Sequence, residues 1–301
     1  MKSILPRSIA SYASFAALLL TASAARAQTA FALADGGLSL IRFDLATPGN
    51  TTVVGNFSGA GLRIDGIDFR PADGLLYGYT REDTIVTINL ATAATTLVST
   101  PQTASTGNSL GIDFNPVADR LRLVNGADQN LRINVASGVT NVDGPLAYIA
   151  GDSGFGINPV INEVAYTNSD RNPFTGTSLF YIDIGRDVLA TTLNPNDGAL
   201  STVGPLGFNA GELTGFDILS DGFGDNRAFA LLTTAGGASL YRVNLNTGAT
   251  TSVGAVGAAA VRPFSLAIVQ PIPEPGTVLF GFALAGACLS RRRAARRNNP
   301  G

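Results

Sequence analysis

Two serines and three aspartates are the residues of this chain whose settings suggest chemistry. Ser109 stands in Gly107-Asn108-Ser109-Leu110-Gly111, the spacing of a nucleophile elbow, and Ser153 in the loop Gly151-Asp152-Ser153-Gly154. A serine hydroxyl attacks only when a neighbouring base takes its proton. The chain has no histidine, and its one lysine, Lys2, lies at the extreme amino end. Neither a Ser-His nor a Ser-Lys pair can form beyond that end, so both serines read as glycine-rich loop and no catalytic residue is assigned. Zinc, copper and haem sites are disfavoured for the same reason, because imidazole is absent and the only thiol is Cys288.

Oxygen ligands remain. Asp68, Asp113 and Asp217 recur in Gly66-Ile67-Asp68-Phe69, Gly111-Ile112-Asp113-Phe114 and Gly215-Phe216-Asp217-Ile218. Two readings stand: each carboxylate satisfies neighbouring backbone amides, or the three gather around a central channel and hold a hard cation such as Ca2+ with carbonyl oxygens. The stretch Asp221-Gly222-Phe223-Gly224-Asp225-Asn226 lacks the alternating acids and final glutamate of an EF-hand and reads as an inserted surface loop. Acids are scattered at turns throughout, so no pair stands out for glycan hydrolysis.

The elements that must carry these residues repeat. Phe43-Asp44-Leu45, Ile88-Asn89-Leu90, Ile133-Asn134-Val135, Ile182-Asp183-Ile184 and Val243-Asn244-Leu245 place Asp or Asn at intervals of 45, 45, 49 and 61 residues. A period in the mid-forties is that of four-stranded propeller blades. Asp or Asn at a strand end accepts a hydrogen bond from the amide two residues on and starts a turn. The Gly-Ile-Asp-Phe stretches form a second repeat, with a degenerate copy expected at Gly156-Ile157-Asn158-Pro159. One unit then reads strand, proline-containing turn, strand, loop, strand, turn, strand. The first unit lacks its opening strand, and Pro263 to Ile268 is a strand without a unit. Pairing them gives an all-β propeller of five blades, closed by the carboxy-terminal strand, with no open sheet edge at the junction.

Residues 28–270 contain twelve Arg, no Lys and twenty-one Asp plus Glu, a net charge of minus nine. Such an acidic domain repels phosphate backbones, which argues against nucleic-acid binding. It also lacks cysteine, so its stability must come from burial rather than disulfides.

Both ends look like processing segments. Lys2 and Arg7 precede an apolar run from Ile9 to Leu20 and the small-residue site Ala25-Arg26-Ala27, so residues 1–27 read as a signal peptide with signal peptidase cutting before Gln28. At the other end, Pro273-Glu274-Pro275 precedes the twelve residues from Val278 to Leu289 and the cluster Arg291, Arg292, Arg293, Arg296, Arg297. The run is shorter than the roughly twenty residues of a stable span. A stable permanent anchor is therefore not expected, and arginines retained inside would give the run its orientation.

The order of the signals in residues 271–301 resembles the PEP-CTERM sorting signal of Gram-negative bacteria. That resemblance implies a sorting helix inserted transiently in the inner membrane and cut near the motif by an exosortase-type membrane peptidase, and a final location at the cell surface, outer membrane or outside. The repeat region, with Arg120-Leu121-Arg122-Leu123-Val124, Asn130-Leu131-Arg132-Ile133-Asn134 and Leu213-Thr214-Gly215-Phe216-Asp217 beside the Gly-Ile-Asp-Phe stretches, is similar to domain-of-unknown-function family 4394. The similarity spans residues 28–270 and implies an exported propeller-like domain with no catalytic residues to carry over. Three functions fit: a non-catalytic surface or matrix protein whose partner is an exopolysaccharide or surface protein, a periplasmic scaffold, or a cation-dependent enzyme of the lactonase or glycan-lyase kind.

Overall fold

The structure is a computed structural model that describes residues 28–107, 109–170, 172, 175–210, 214–220, 224–234, 237–257 and 263–271. The expected signal-peptide site Ala25 and Ala27, the motif Pro273, Glu274, Pro275 and the arginines Arg291, Arg292, Arg293, Arg296 and Arg297 lie outside these residues. Among the described residues, no helix is long and apolar enough to cross a membrane.

Apolar residues alternate with polar ones in short runs punctuated by Gly, Asp and Asn, and these runs become strands grouped in five sheets. Blade I contains β1 (Thr29–Ala34), β2 (Ser39–Asp44) and β3 (Thr47–Asn56). Blade II contains β4 (Ser58–Gly59), β5 (Ile64–Phe69), β6 (Leu76–Thr80), β7 (Ile85–Ile88) and β8 (Ala94–Ser99). Blade III is β9 (Leu110–Asn115), β10 (Arg120–Asn125), β11 (Asn130–Ile133) and β12 (Thr140–Val142). Blade IV holds β13 (Ala147–Tyr148), β14 (Ile161–Tyr166), β15 (Leu179–Asp183), β16 (Val188–Thr192) and β17 (Ala199–Pro205). Blade V is β18 (Thr214–Ser220), β19 (Asn226–Thr234), β20 (Gly237–Val243) and β21 (Thr250–Ala255). The last strand, β22 (Phe264–Ile268), pairs antiparallel with β1 and completes blade I. The orphan strand and the incomplete first unit thus join as the sequence predicts.

Each blade is a four-stranded antiparallel meander. Blades II and IV add a two-residue parallel strand, β4 on β8 and β13 on β17, which the repeat does not announce. The innermost strands touch in a closed circle, β22 to β5, β9, β14, β18 and back to β22. Five apolar clusters fill the five junctions between blades, for example Ile41, Phe43, Leu266 and Ile268 against Leu219, Phe229 and Leu231 between blades I and V. Burial between sheets rather than within them therefore holds the ring.

The turn-starting repeat behaves as its chemistry demands. Asp44, Asn89, Asn134 and Asn244 close the third strand of blades I, II, III and V and accept the amides of Ala46, Ala91, Ala136 and Asn246 at 2.8, 2.9, 3.1 and 2.9 Å. Asp183, the copy expected for blade IV, instead ends β15, the second strand of that blade, where it accepts the Gly185 amide at 3.0 Å, and the turn after the third strand β16 begins at Leu193. The degenerate copy at Gly156-Ile157-Asn158-Pro159 is a different matter. Those residues form a loop, and the innermost strand of blade IV is β14, which begins at Ile161. The strand is formed instead by the following Ile161–Tyr166, whose residues are all buried and whose pairing with β15 shifts register between Ile161 and Glu163.

Candidate functional site

The innermost strands align as Gly66-Ile67-Asp68-Phe69, Gly111-Ile112-Asp113-Phe114, Glu163-Val164-Ala165-Tyr166, Gly215-Phe216-Asp217-Ile218 and Ser265-Leu266-Ala267-Ile268. Side chains two apart share a face of a strand. The first and third positions of each quartet therefore point the same way, and each quartet places one polar side chain there.

That side chain crosses to the next blade. Asp68 accepts the amide of Phe114 at 2.7 Å, Asp113 that of Tyr166 at 3.2 Å and Asp217 that of Ile268 at 2.6 Å. Where Ala165 and Ala267 replace the aspartate, the residue two earlier takes over. Glu163 accepts the amide of Phe216, and Ser265 Oγ that of Ile67 at 3.0 Å. All five junctions are thus tied by a side chain of one innermost strand accepting a backbone N–H of the next. Asp68 and Asp217 also accept the amide that follows them, from Phe69 at 2.7 Å and Ile218 at 2.6 Å. Ser265 reaches Ile67 from a bulge in the β1–β22 pairing with φ of 49°, a left-handed conformation that re-aims its hydroxyl.

The glycines of the quartets permit this crossing. A Cβ on Gly111 would stand 2.6 Å from the Cα of Glu163 and 2.7 Å from the carbonyl of Asn162, and one on Gly215 would stand 2.9 Å from the amide of Leu266. Blade IV and blade I carry Glu and Ser at that position because their tie is made from it.

The ties bring the acids together. One carboxylate oxygen from each of Asp68, Asp113 and Asp217 lies within 4.8 Å of the other two, and all three residues are buried. Glu163 is buried beside them, and burial pushes its carboxyl well above the usual range, opposed by the Phe216 amide and aided by the field of Asp217. Burial pushes the Asp68 carboxyl well above the usual carboxylate range, and Asp217 nearby adds to this while the two amides oppose it. Asp113 is raised first by burial, then by Asp68 and Asp217. Burial likewise raises Asp217, to about 7, against the pull of the Ile268 and Ile218 amides. Oxygens bound to one calcium ion stand no more than about 5 Å from one another, and the grouping of the trio is compatible with that limit. The sequence named the three aspartates and missed Glu163 and Ser265. Their signal was an alternating apolar strand with Glu or Ser two residues before an alanine.

The two serines sit elsewhere. Ser109 is exposed before β9. Ser153 Oγ accepts a hydrogen bond from Arg186 at 3.0 Å and bonds Thr202, which pins the 149–157 loop against blade IV. A second buried polar group joins blades III and IV: Arg122, 1% exposed, bonds Asp143, Asn130, Tyr166 and Asn196.

The family profile described as a domain of unknown function (DUF4394) matches residues 39–265, which run from β2 into β22. The chain belongs to this family. No curated protein matches it. Among solved structures it is similar to a structural-genomics protein of unknown function from Bacteroides thetaiotaomicron, at 13% identity and a TM-score of 0.45, over 78% of this chain and 56% of that one. It is also similar to a Lactobacillus plantarum protein, at 15% identity and a TM-score of 0.41, over 83% of this chain and 68% of the other. An auxiliary nutrient binding protein from Bacteroides ovatus aligns at 14% identity and a TM-score of 0.40, over 64% of this chain and 50% of that one. The chain thus spans little more than half the length of the first of these relatives.

Proposed function

We propose that this family member is an exported, non-catalytic binding or scaffolding propeller, held at the inner membrane by its tail until an exosortase-type peptidase cuts near Pro273-Glu274-Pro275. One observation carries the non-catalytic part of the reading. The polar side chains that converge at the centre, Asp68, Asp113, Glu163, Asp217 and Ser265, are engaged as ties between blades. A carboxylate that accepts two backbone amides, as Asp68 and Asp217 do, is held for structure rather than offered to a substrate. The paired leader and tail of the sequence support export and sorting, with a surface exopolysaccharide or protein as the partner class.

The test follows processing. Replacing Pro273, Glu274 and Pro275 by alanine should leave the carboxy-terminal segment uncut and the protein in the inner-membrane fraction. Sequencing the mature termini of parent and variant after fractionation checks this, and identical processing would refute the sorting reading.

A second reading rests on the 4.8 Å grouping of Asp68, Asp113 and Asp217. Held around Ca2+, these carboxylates would make a cation-dependent enzyme centre of the lactonase or glycan-lyase kind. A melting temperature raised by calcium in the parent and unmoved by it in Asp113→Asn would favour this reading. Equal curves with calcium and with chelator in both proteins would count against it.

A further inference from the structure

The two ends of the ring meet at one place. Gln28 donates a side-chain hydrogen bond to the carbonyl of Val269, and Leu45 donates its amide to the carbonyl of Gln28 at 2.9 Å. Gln270 is fixed from both sides: its oxygen accepts the Ser220 amide at 2.8 Å, and its Nε2 donates to the Ile218 carbonyl at 3.1 Å. Ile218 and Ser220 belong to β18, an innermost strand, and Val269 follows β22, another. The chain therefore leaves the ring close to its axis, on the face where each innermost strand ends.

Antiparallel order fixes what else lies on that face. The turns β5–β6, β9–β10, β7–β8, β11–β12 and β16–β17 open onto it, and each carries an exposed apolar side chain: Leu75, Val117, Leu90, Val139 and Leu193 respectively. They are spread over three neighbouring blades, at inner and outer turns, as a planar partner would meet them. The opposite face has exposed apolar groups of its own, Leu38, Leu62, Phe155 and Ile157, so exposure does not choose between faces. The leash does.

From Pro271 to Thr277 seven residues separate the anchored Gln270 from the apolar run at Val278. Fully extended they reach about 25 Å. A compact domain of this size has a radius of gyration of roughly 18 Å, which puts the rim of a disc about 25 Å from its axis. A leash attached at the axis thus reaches the rim only when stretched taut, and every shorter extension holds the exit face toward the bilayer.

We propose that, while the tail is inserted, the face carrying Gln28, Gln270, Leu75, Val117 and Leu193 lies on the lipid surface, and the face carrying Leu62 and Phe155 points away and is free for a partner. The orientation rests on the tail reading given above. It also places both processing points, before Gln28 and after Pro271, at the same spot beside the membrane.

The only cysteine, Cys288, lies in the tail, which makes site-specific probes simple. A chain from Gln28 to Gly301 with Cys288→Ala would receive single cysteines at Leu75, Val117 or Leu193, and at Leu62 or Phe155 for comparison. Each is labelled with a polarity-sensitive fluorophore and reconstituted in phosphatidylethanolamine–phosphatidylglycerol vesicles holding headgroup-proximal spin-labelled lipid. All five positions are exposed, and far-ultraviolet circular dichroism confirms that each variant keeps its sheet content. Quenching at least threefold stronger at Leu75, Val117 and Leu193 than at Leu62 and Phe155 is expected. Protein that fails to float with the vesicles would refute the tail reading and the orientation with it. Protein that floats but is quenched equally on both faces would overturn the orientation alone. Equal quenching in lipid, with exit-face cysteines shielded from a soluble maleimide only in cells that contain the processing peptidase, would replace lipid by a protein partner on this face.

Discussion

The buried acids at the axis make the fold sensitive to protons. Asp68, Asp113, Glu163 and Asp217 all have carboxyl groups raised above their ordinary values, with burial as the main cause and mutual repulsion adding to it for Asp68, Asp113 and Glu163. A carboxyl raised in the folded state binds protons more tightly there than in the unfolded chain. Its favourable contribution is complete below the unfolded value of about 4 and is lost as pH rises through the folded value, which for Asp217 is about 7. The melting temperature should therefore fall as pH rises from about 4 to about 7 in the absence of divalent cation. A thermal scan across that range checks it, and a melting temperature that climbs instead would show that these groups do not govern stability. Asp217→Asn should flatten the slope because the titrating charge is gone, while lowering stability overall, since its single oxygen can accept only one of the Ile268 and Ile218 N–H groups.

Among the elements, the innermost strands depend on glycine where backbones approach closely. At Gly111 an added methyl would meet the backbone of Glu163 and Asn162 at 2.6 and 2.7 Å, atoms that cannot move without shifting β14. At Gly66 it would meet the side-chain tips of Leu110 and Ile112 at 3.0 and 3.1 Å, which can rotate. Gly111→Ala is expected to cost about 1–3 kcal/mol or more, as overpacking in a closed core does, and Gly66→Ala clearly less. Denaturant titration of both variants gives the comparison, and equal losses would argue against strand approach as the reason for the glycines. The sequence displayed these glycines and their aspartates as a repeat. It did not display that the aspartate reaches into the neighbouring blade, since a hydrogen bond between residues 46 or more apart, such as Asp68 to Phe114, has no local signature.

For the whole molecule, closure depends on one strand. β22 buries Leu266, Ala267 and Ile268 between blades I, II and V, supplies the Ser265 tie and donates the Ile268 N–H to Asp217. Ending the chain before Pro263 would remove two buried large aliphatic side chains, each contributing about 1.5–3 kcal/mol, together with two of the five ties. Against a total stability of roughly 5–15 kcal/mol, the shortened domain should unfold or aggregate. Size-exclusion chromatography and a melting curve of the truncated protein are the check, and an unchanged melting temperature would contradict closure by β22. The two 45-residue intervals between Asp44, Asn89 and Asn134 determined the propeller, because blades I, II and III turn at the same place in their own short sequences, whereas Asp183 falls on a different turn of blade IV. Alternation of apolar residues determined the strands, and the absence of histidine and of any lysine beyond Lys2 limited the chemistry. Only the tertiary structure decided that Glu163 and Ser265 replace the missing aspartates, that Gly156 to Pro159 is a loop, and that five polar side chains form one ring of ties. The physical reason is that turns and strand periods are set by neighbours in sequence, whereas the partners of a buried carboxyl are set by whichever backbone the closed ring brings within 3 Å or so of it.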